Sequence, residues 1–222
     1  MQTTARIAEI RTVEGGTAVW IDCPAGVIPA PGQYVSADEP ADADSAVGAV
    51  LFPMETSPQG FLAAPPVPTH WTPGALLNLR GPLGQGFCLP SDVHHLALAA
   101  LGDTPSRLLP LLSRSIDAVL FTDFLYSSIP LSLEIYPLSA LPDLLAWADF
   151  LALDLPLEAL ADLGKHLPDV LPCPAQALIY TPMPCAGLAR CGACAVPTRR
   201  RWKLACEDGP VFDLRELAWQ RA

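Results

Sequence analysis

Gly81-Pro82-Leu83-Gly84-Gln85-Gly86-Phe87 stands where the hydrophobic rhythm of the chain changes. Before it, from residue 5 to about 88, apolar and polar residues alternate, as in Ala5-Arg6-Ile7-Ala8-Glu9-Ile10 and Thr17-Ala18-Val19-Trp20-Ile21, between turn signals such as Glu14-Gly15-Gly16 and Pro31-Gly32. A period of two with this punctuation predicts short antiparallel strands in a small barrel or sandwich. Ala37 to Ala46 reads as a polar, acidic loop between strands. After it, from about 90 to 180, short apolar runs alternate with candidate helices. His95–Ala100, Ala118–Phe121, Leu131–Ile135, Phe150–Leu153 and Gln176–Tyr180 read as strands. Thr104–Arg114, Leu141–Trp147 and Pro156–His166 read as helices, the last with proline in its first turn. This alternation predicts a small parallel α/β sheet. The expected organisation is a strand-rich barrel over 1–88, a short α/β domain over 89–180 and a cysteine-bearing segment over 181–222.

The chain has 222 residues, 51% of them hydrophobic and 16% charged, which excludes a disordered regulator and allows a sizeable core. Its 25 prolines, about twice average usage, exclude long helices and coiled coils. Two uncharged stretches, Thr56–Leu79 and Leu171–Ala189, hold five and four prolines and do not read as membrane spans. The N-terminal residues lack the apolar core of a signal peptide, so the expected location is the cytoplasm. A net charge of −10 argues against general nucleic-acid binding. Five of the 13 basic residues, Arg190, Arg199, Arg200, Arg201 and Lys203, nevertheless fall within 14 residues.

The seven cysteines are equally uneven. Cys23, Cys88 and Cys173 stand alone and read as small inert hydrophobes. Cys185, Cys191, Cys194 and Cys206 lie within 22 residues, spaced C-x5-C-x2-C-x11-C, one residue longer in the first gap than the plant-type ferredoxin loop. Four thiolates suit an iron–sulfur cluster, the small residues between them let backbone N–H groups approach sulfides, and Arg190 offsets negative charge. A zinc site made by the same four cysteines is the alternative, although only Cys191 and Cys194 form a close pair. Disulfides are disfavoured in the expected compartment.

Three further stretches carry a family resemblance. Pro31-Gly32-Gln33-Tyr34-Val35, Gly81–Phe87 and Cys206-Glu207-Asp208-Gly209-Pro210-Val211-Phe212, with the cysteine loop, resemble the electron-transfer subunit of type B dihydroorotate dehydrogenase, a ferredoxin-reductase-like flavoprotein. The resemblance implies a ferredoxin-reductase-like barrel, an α/β domain and a C-terminal [2Fe-2S] segment ligated by Cys185, Cys191, Cys194 and Cys206. It implies electron flow from NADH through FAD and the cluster to a partner subunit bearing FMN, hence a hetero-oligomer serving pyrimidine biosynthesis.

The sequence departs from that scheme at three places. The barrel's flavin-contacting Arg-Pro motif falls near Val47–Met54, where there is no arginine, and no cation occurs between Arg11 and Arg80. The glycine-rich phosphate turn is replaced by Leu101-Gly102-Asp103-Thr104-Pro105-Ser106, read as a helix cap at Asp103 or Thr104. The turn that faces the nicotinamide aligns with Leu153-Asp154-Leu155-Pro156, also read as a cap. NADH oxidation is therefore not expected, FAD is an open alternative, and the preferred function is a nucleotide-free iron–sulfur relay acting as an accessory subunit without bond chemistry of its own. The rival from another class is a zinc-stabilised scaffold or regulatory subunit. His70, His94, His95 and His166 have no metal spacing. Asp143, Asp149, Asp154, Glu158 and Asp162 read as a solvated face. The Arg199–Lys203 run reads either as a solvated hairpin or as a docking patch for an acidic, flavin-bearing partner.

Overall fold

The computed structural model describes residues 1–13, 15–40, 48–102, 104–114, 117–124 and 133–219. The alternating first part forms seven antiparallel strands: β1 (Gln2–Val13), β2 (Gly16–Asp22), β3 (Tyr34–Asp38), β4 (Ala49–Leu51), β5 (Pro53–Ser57), β6 (Gly60–Ala63) and β7 (Leu76–Leu83). Their order is β4-β3-β7-β1-β2-β6-β5. The two edge strands, β4 and β5, are separated in sequence by Phe52 alone. The sheet must therefore curl until its edges meet, and it becomes a barrel. Ile7 pairs with Ile21 across β1 and β2 and both are fully buried; with Val19, Val35, Leu51, Phe61, Leu77 and Leu79 they fill the interior. Burial of each such Leu or Ile contributes about 1.5–3 kcal/mol.

Successive residues of β3 face opposite ways. Val35 and Ala37 enter the barrel interior, whereas Tyr34 points out of it into a second core, joined there by Phe52. That second core belongs to a sheet of β8 (His95–Ala100), β9 (Asp117–Phe121), β10 (Glu134–Tyr136), β11 (Phe150–Pro156) and β12 (Ala175–Tyr180), all parallel. Ala97, Ala99, Leu151, Leu153 and Leu155 feed the core shared with the barrel; Leu96, Leu98, Ala100, Phe150 and Ala152 feed another on the opposite face with Leu108 and Leu111. Apolar runs without alternation thus mark strands covered on both faces. A hairpin of β13 (Ala195–Pro197) and β14 (Trp202–Leu204) follows, and β15 (Val211–Asp213) then adds antiparallel to β12. The C-terminal stretch is thereby stitched into the central sheet.

The helical expectations need correction. α1 (Leu141–Leu144), continued by a 3₁₀ turn over Leu145–Trp147, answers to the expected Leu141–Trp147 helix. The stretches expected to be helices at 104–114 and 156–166 contain only 3₁₀ helices, Leu109–Arg114 and Leu157–Lys165. In the second, Leu160 and Leu163 are buried and Leu157 packs beside them. A spacing of three aligns these side chains on one line only if the turn holds three residues. The strand expected at Leu131–Ile135 begins at Glu134, with 131 and 132 outside the described residues. The acidic loop begins after Asp38, the last residue of β3, and 41–46 also lie outside the described residues. Among the described residues no helix is long and apolar enough to cross a membrane.

Candidate metal centre

The chain leaves β12 at Tyr180, inserts buried Met183 into the core, and coils through Cys185–Cys194 before the hairpin. Ala186, Gly187, Ala189 and Gly192 all have positive φ, at 47°, 80°, 54° and 73°. Gly187 is required for space as well as conformation, since a Cβ there would lie 2.4 Å from the Tyr34 hydroxyl oxygen. Successive left-handed residues turn backbone N–H groups toward one side. Here they converge on sulfur: the N–H groups of Arg190 and Cys191 donate to the Cys185 thiol, that of Leu188 is shared between this thiol and the Cys185 carbonyl at 3.1 Å, and that of Ala189 donates to the Cys206 thiol. Carbonyls are held elsewhere, with Arg80 donating to the Ala186 carbonyl and Tyr34 Oη donating to the Cys206 carbonyl at 2.9 Å.

The four thiols meet as two pairs. Cys185 and Cys191 are within hydrogen-bond reach of each other, and so are Cys194 and Cys206. The first pair is half-buried and exposed, whereas both members of the second are buried. Burial opposes ionisation of Cys185, but the surrounding N–H groups and the Cys191 thiol outweigh it and bring its pKa down to about 6. Cys206 is pushed up to about 12, by burial first and then by Cys194. Among the described residues no group of three or more His, Cys, Asp or Glu side chains is already gathered as a metal ion would need. Of the isolated cysteines, Cys23 is buried and pushed up to about 11 by desolvation, Cys173 is half-buried and Cys88 is exposed.

The stretches far apart in sequence assemble beneath this loop. Gln85 N–H donates to the Gly209 carbonyl at 2.5 Å, Phe87 N–H to the Pro31 carbonyl at 2.9 Å, and Gln33 Nε2 to the Gly84 carbonyl at 3.2 Å. Gly84, at φ 72°, leaves no room for a Cβ, which would meet the Gly209 carbonyl oxygen at 2.6 Å and Tyr34 at 2.9 Å. These glycines let Pro31–Val35, Gly81–Phe87 and Cys206–Phe212 close against one another and present the fourth cysteine to the first three.

At the carboxyl ends of β8 and β11, where the direction of winding reverses and open α/β sheets receive ligands, lies a charge pair. Asp154 is fully buried on β11, opposite Ala100 of β8, and takes Arg107 Nε and an Nη in a bidentate pair at 2.9–3.2 Å. The guanidinium carbon lies 4.4 Å from the Tyr180 ring centroid. From there Tyr180, Phe52 and Tyr34 form a row, at centroid separations of 6.3 and 5.9 Å, across the seam between sheet and barrel. The expectation that Asp154 belongs to a solvated face or a helix cap is therefore overturned: the apolar run around it is a central strand, and the next helix begins after Pro156 without a side-chain cap. Burial raises its carboxyl pKa while Arg107 opposes that shift. Thr104 Oγ1 accepts the Ser106 N–H at 3.1 Å in a local turn, and Asp103 lies outside the described residues. Asp149 also has a structural task, accepting the N–H groups of His94 and His95 at 3.0 and 2.9 Å. Both the buried pair and the aromatic row escaped the sequence reading, because an isolated Asp in an apolar run carries no sign of a partner 47 residues away.

Residues 183–218 match the family model of the iron–sulfur cluster binding domain of dihydroorotate dehydrogenase B. The match covers the cysteine-bearing segment alone, and that segment is similar to the family's cluster-binding domain. The sequence resemblance to the electron-transfer subunit of dihydroorotate dehydrogenase B is borne out by this match together with the fold. No curated protein matches the chain by sequence. Among solved structures, the NADH-dependent reduced ferredoxin–NADP oxidoreductase, described for flavin-based electron bifurcation, is 19% identical with a TM-score of 0.74, over 97% of this chain and 90% of that one. The ferredoxin reductase of carbazole 1,9a-dioxygenase is 19% identical with a TM-score of 0.58, over 76% and 67%. A ferredoxin–NADP⁺ reductase variant from Plasmodium falciparum with 2'P-AMP is 11% identical with a TM-score of 0.56, over 81% and 96%. The fold is ferredoxin-reductase-like, and with the cluster-binding domain it supports an iron–sulfur electron-transfer subunit.

Proposed function

We propose that Cys185, Cys191, Cys194 and Cys206 ligate one [2Fe-2S] cluster, and that the chain is a nucleotide-free relay exchanging single electrons with a flavin-bearing partner such as a dihydroorotate dehydrogenase catalytic subunit. The observation that carries the reading is the gathering of the four cysteines, beneath converging N–H groups, within the segment that matches the cluster-binding domain. A dinuclear cluster needs two protein sulfurs on each iron, whereas a single zinc needs all four around one point. The cluster supplies one-electron redox chemistry when bound. The chain's own contribution is electrostatic and steric. N–H groups from Leu188 to Cys191 offset negative charge on sulfur, the buried pair excludes water, and the half-exposed pair leaves one side open to a partner. In this reading 1–88 and 89–180 are two supporting modules for the cluster segment 181–222.

The same reading covers FAD and NAD. Residues 48–54 supply no cation for a pyrophosphate, and Phe52 is buried there between Tyr34 and Tyr180. Arg107 already has Asp154 as its anion. The space left at that crevice is about 270 Å³, with Glu158 among its lining residues, which is small beside usual ligand pockets and unfavourable to phosphate. Anaerobic purification with iron, sulfide, zinc and flavin quantified together tests the proposal. About two irons and two sulfides per chain without flavin is the expected composition. Stoichiometric FAD overturns the nucleotide-free relay, and a single zinc overturns the cluster.

A further inference from the structure

The Arg199–Lys203 run lies on the hairpin whose arms lead directly to Cys194 and Cys206. Its turn is tightly held. Thr198 N–H donates to the Arg201 carbonyl at 3.1 Å, Arg201 N–H returns to Thr198 Oγ1 at 3.2 Å, and Arg199 N–H donates to the Glu216 carbonyl at 2.8 Å. Lys203 is paired with Glu216 and Arg215 with Asp213. Arg200 and Arg201, both exposed, have no carboxylate partner among the described residues. Beside them Trp202 is 68% exposed, although an indole is ordinarily covered, and Leu188, whose N–H reaches the Cys185 thiol, is 55% exposed. A concavity of about 590 Å³ is lined by the three arginines, Lys203, Arg215 and Glu216.

We infer that this hairpin is the docking face for a compact acidic patch on a flavin-bearing protein, with Trp202 as the apolar anchor and Arg200 and Arg201 as the charged rim. The inference rests on the proposed relay and adds the surface and the chemistry of its partner. Exposed aromatic and arginine side chains on a preorganised turn are the residue types that dominate interface energetics. Unpaired cations steer an acidic partner and speed encounter. The remainder of the chain decides the class of occupant. Its net charge of −10 is reached despite this basic cluster, so an extended polyanion such as duplex nucleic acid would leave the hairpin and meet acidic surface. A compact acidic patch can sit against Arg200 and Arg201, where the one lining carboxylate, Glu216, is already paired with Lys203. Strand pairing of Ala195 with Leu204 holds the hairpin base beside the buried thiol pair, so docking brings a partner's flavin toward the cluster segment.

The test is isothermal titration of the full chain, purified anaerobically, with flavodoxin as an acidic FMN protein, at 50 and 300 mM salt. Binding is expected at low salt and to weaken about tenfold at the higher salt. Arg200→Glu/Arg201→Glu should weaken low-salt binding at least tenfold and flatten the salt dependence. Trp202→Ala should weaken binding at both salt concentrations by a similar factor and leave the salt dependence in place. Unaltered binding by the charge-reversed variant overturns the inference. So does tighter binding of a DNA duplex, or self-association at low salt that the charge reversal abolishes while flavodoxin does not bind. Iron and sulfide assays on the same samples read the functional proposal separately. Cluster-free protein that retains charge-dependent flavodoxin binding loses the relay and keeps the docking face.

Discussion

Two polar groups are enclosed by the fold, and they are completed in opposite ways. At the carboxyl ends of β8 and β11, Arg107 and Asp154 neutralise each other in a bidentate pair, and Tyr180 covers the guanidinium. Under the cysteine loop, N–H groups converge on sulfur atoms whose two pairs differ in exposure. The first group is closed upon itself and leaves little for an anionic ligand to gain. The second is an arrangement of donors aimed at a place where negative charge belongs. The difference between the two lies in where each donor's acceptor comes from.

Breaking either half of this comparison should have distinct consequences. The largest effect is expected for Cys194→Ser or Cys206→Ser, which should abolish visible iron–sulfur absorbance and the low-temperature EPR signal of the reduced protein. Serine at Cys191, on the exposed side, should perturb the spectrum with partial retention of iron. Asp154→Ala leaves a buried guanidinium unpaired and should cost about 3–5 kcal/mol in chemical denaturation. Replacing both partners, as Arg107→Leu/Asp154→Leu, should recover most of that loss with the cluster spectrum unchanged. Recovery accompanied by new FAD or NADH binding would sharpen the view that this pair fills the crevice.

A smaller effect is expected where the barrel holds the loop. Tyr34→Phe removes the donor to the Cys206 carbonyl and leaves a buried acceptor, a cost of about 1–3 kcal/mol. Bleaching in air should accelerate in the same variant. Smallest is the pH response of Asp149, whose pKa is held below the usual carboxylate range first by the N–H groups of His94 and His95. A depressed folded-state value means that its stabilisation is present above the unfolded value and lost as pH falls through the folded one. Asp149→Asn should therefore lower the melting temperature slightly at neutral pH and reduce its decline in acid.

Much of the fold was legible before the structure. Alternation in β1 and β2 and the uninterrupted apolar runs of β8 and β11 report how many faces of each strand are buried, and burial acts on every residue of a strand. The 3₁₀ character of Leu157–Lys165 was not legible, since its leucines and alanine favour an α-helix locally and packing of Leu160 and Leu163 decides the turn. The candidate metal site was legible as a spacing of four cysteines, but their division into a buried and an open pair was not.

Composition, periodicity and cysteine spacing by themselves determined the strand-rich barrel, the parallel sheet and the residues from which a metal centre would be built, because each is a local pattern repeated along the chain. Tertiary structure alone decided that Tyr34 leaves its barrel to support Cys206, that Asp154 finds Arg107, and that three glycine-bearing stretches close beneath one loop. Those contacts join residues 47 to 172 positions apart. Their energies exist only once the intervening chain has folded and removed the water that would otherwise satisfy each polar group.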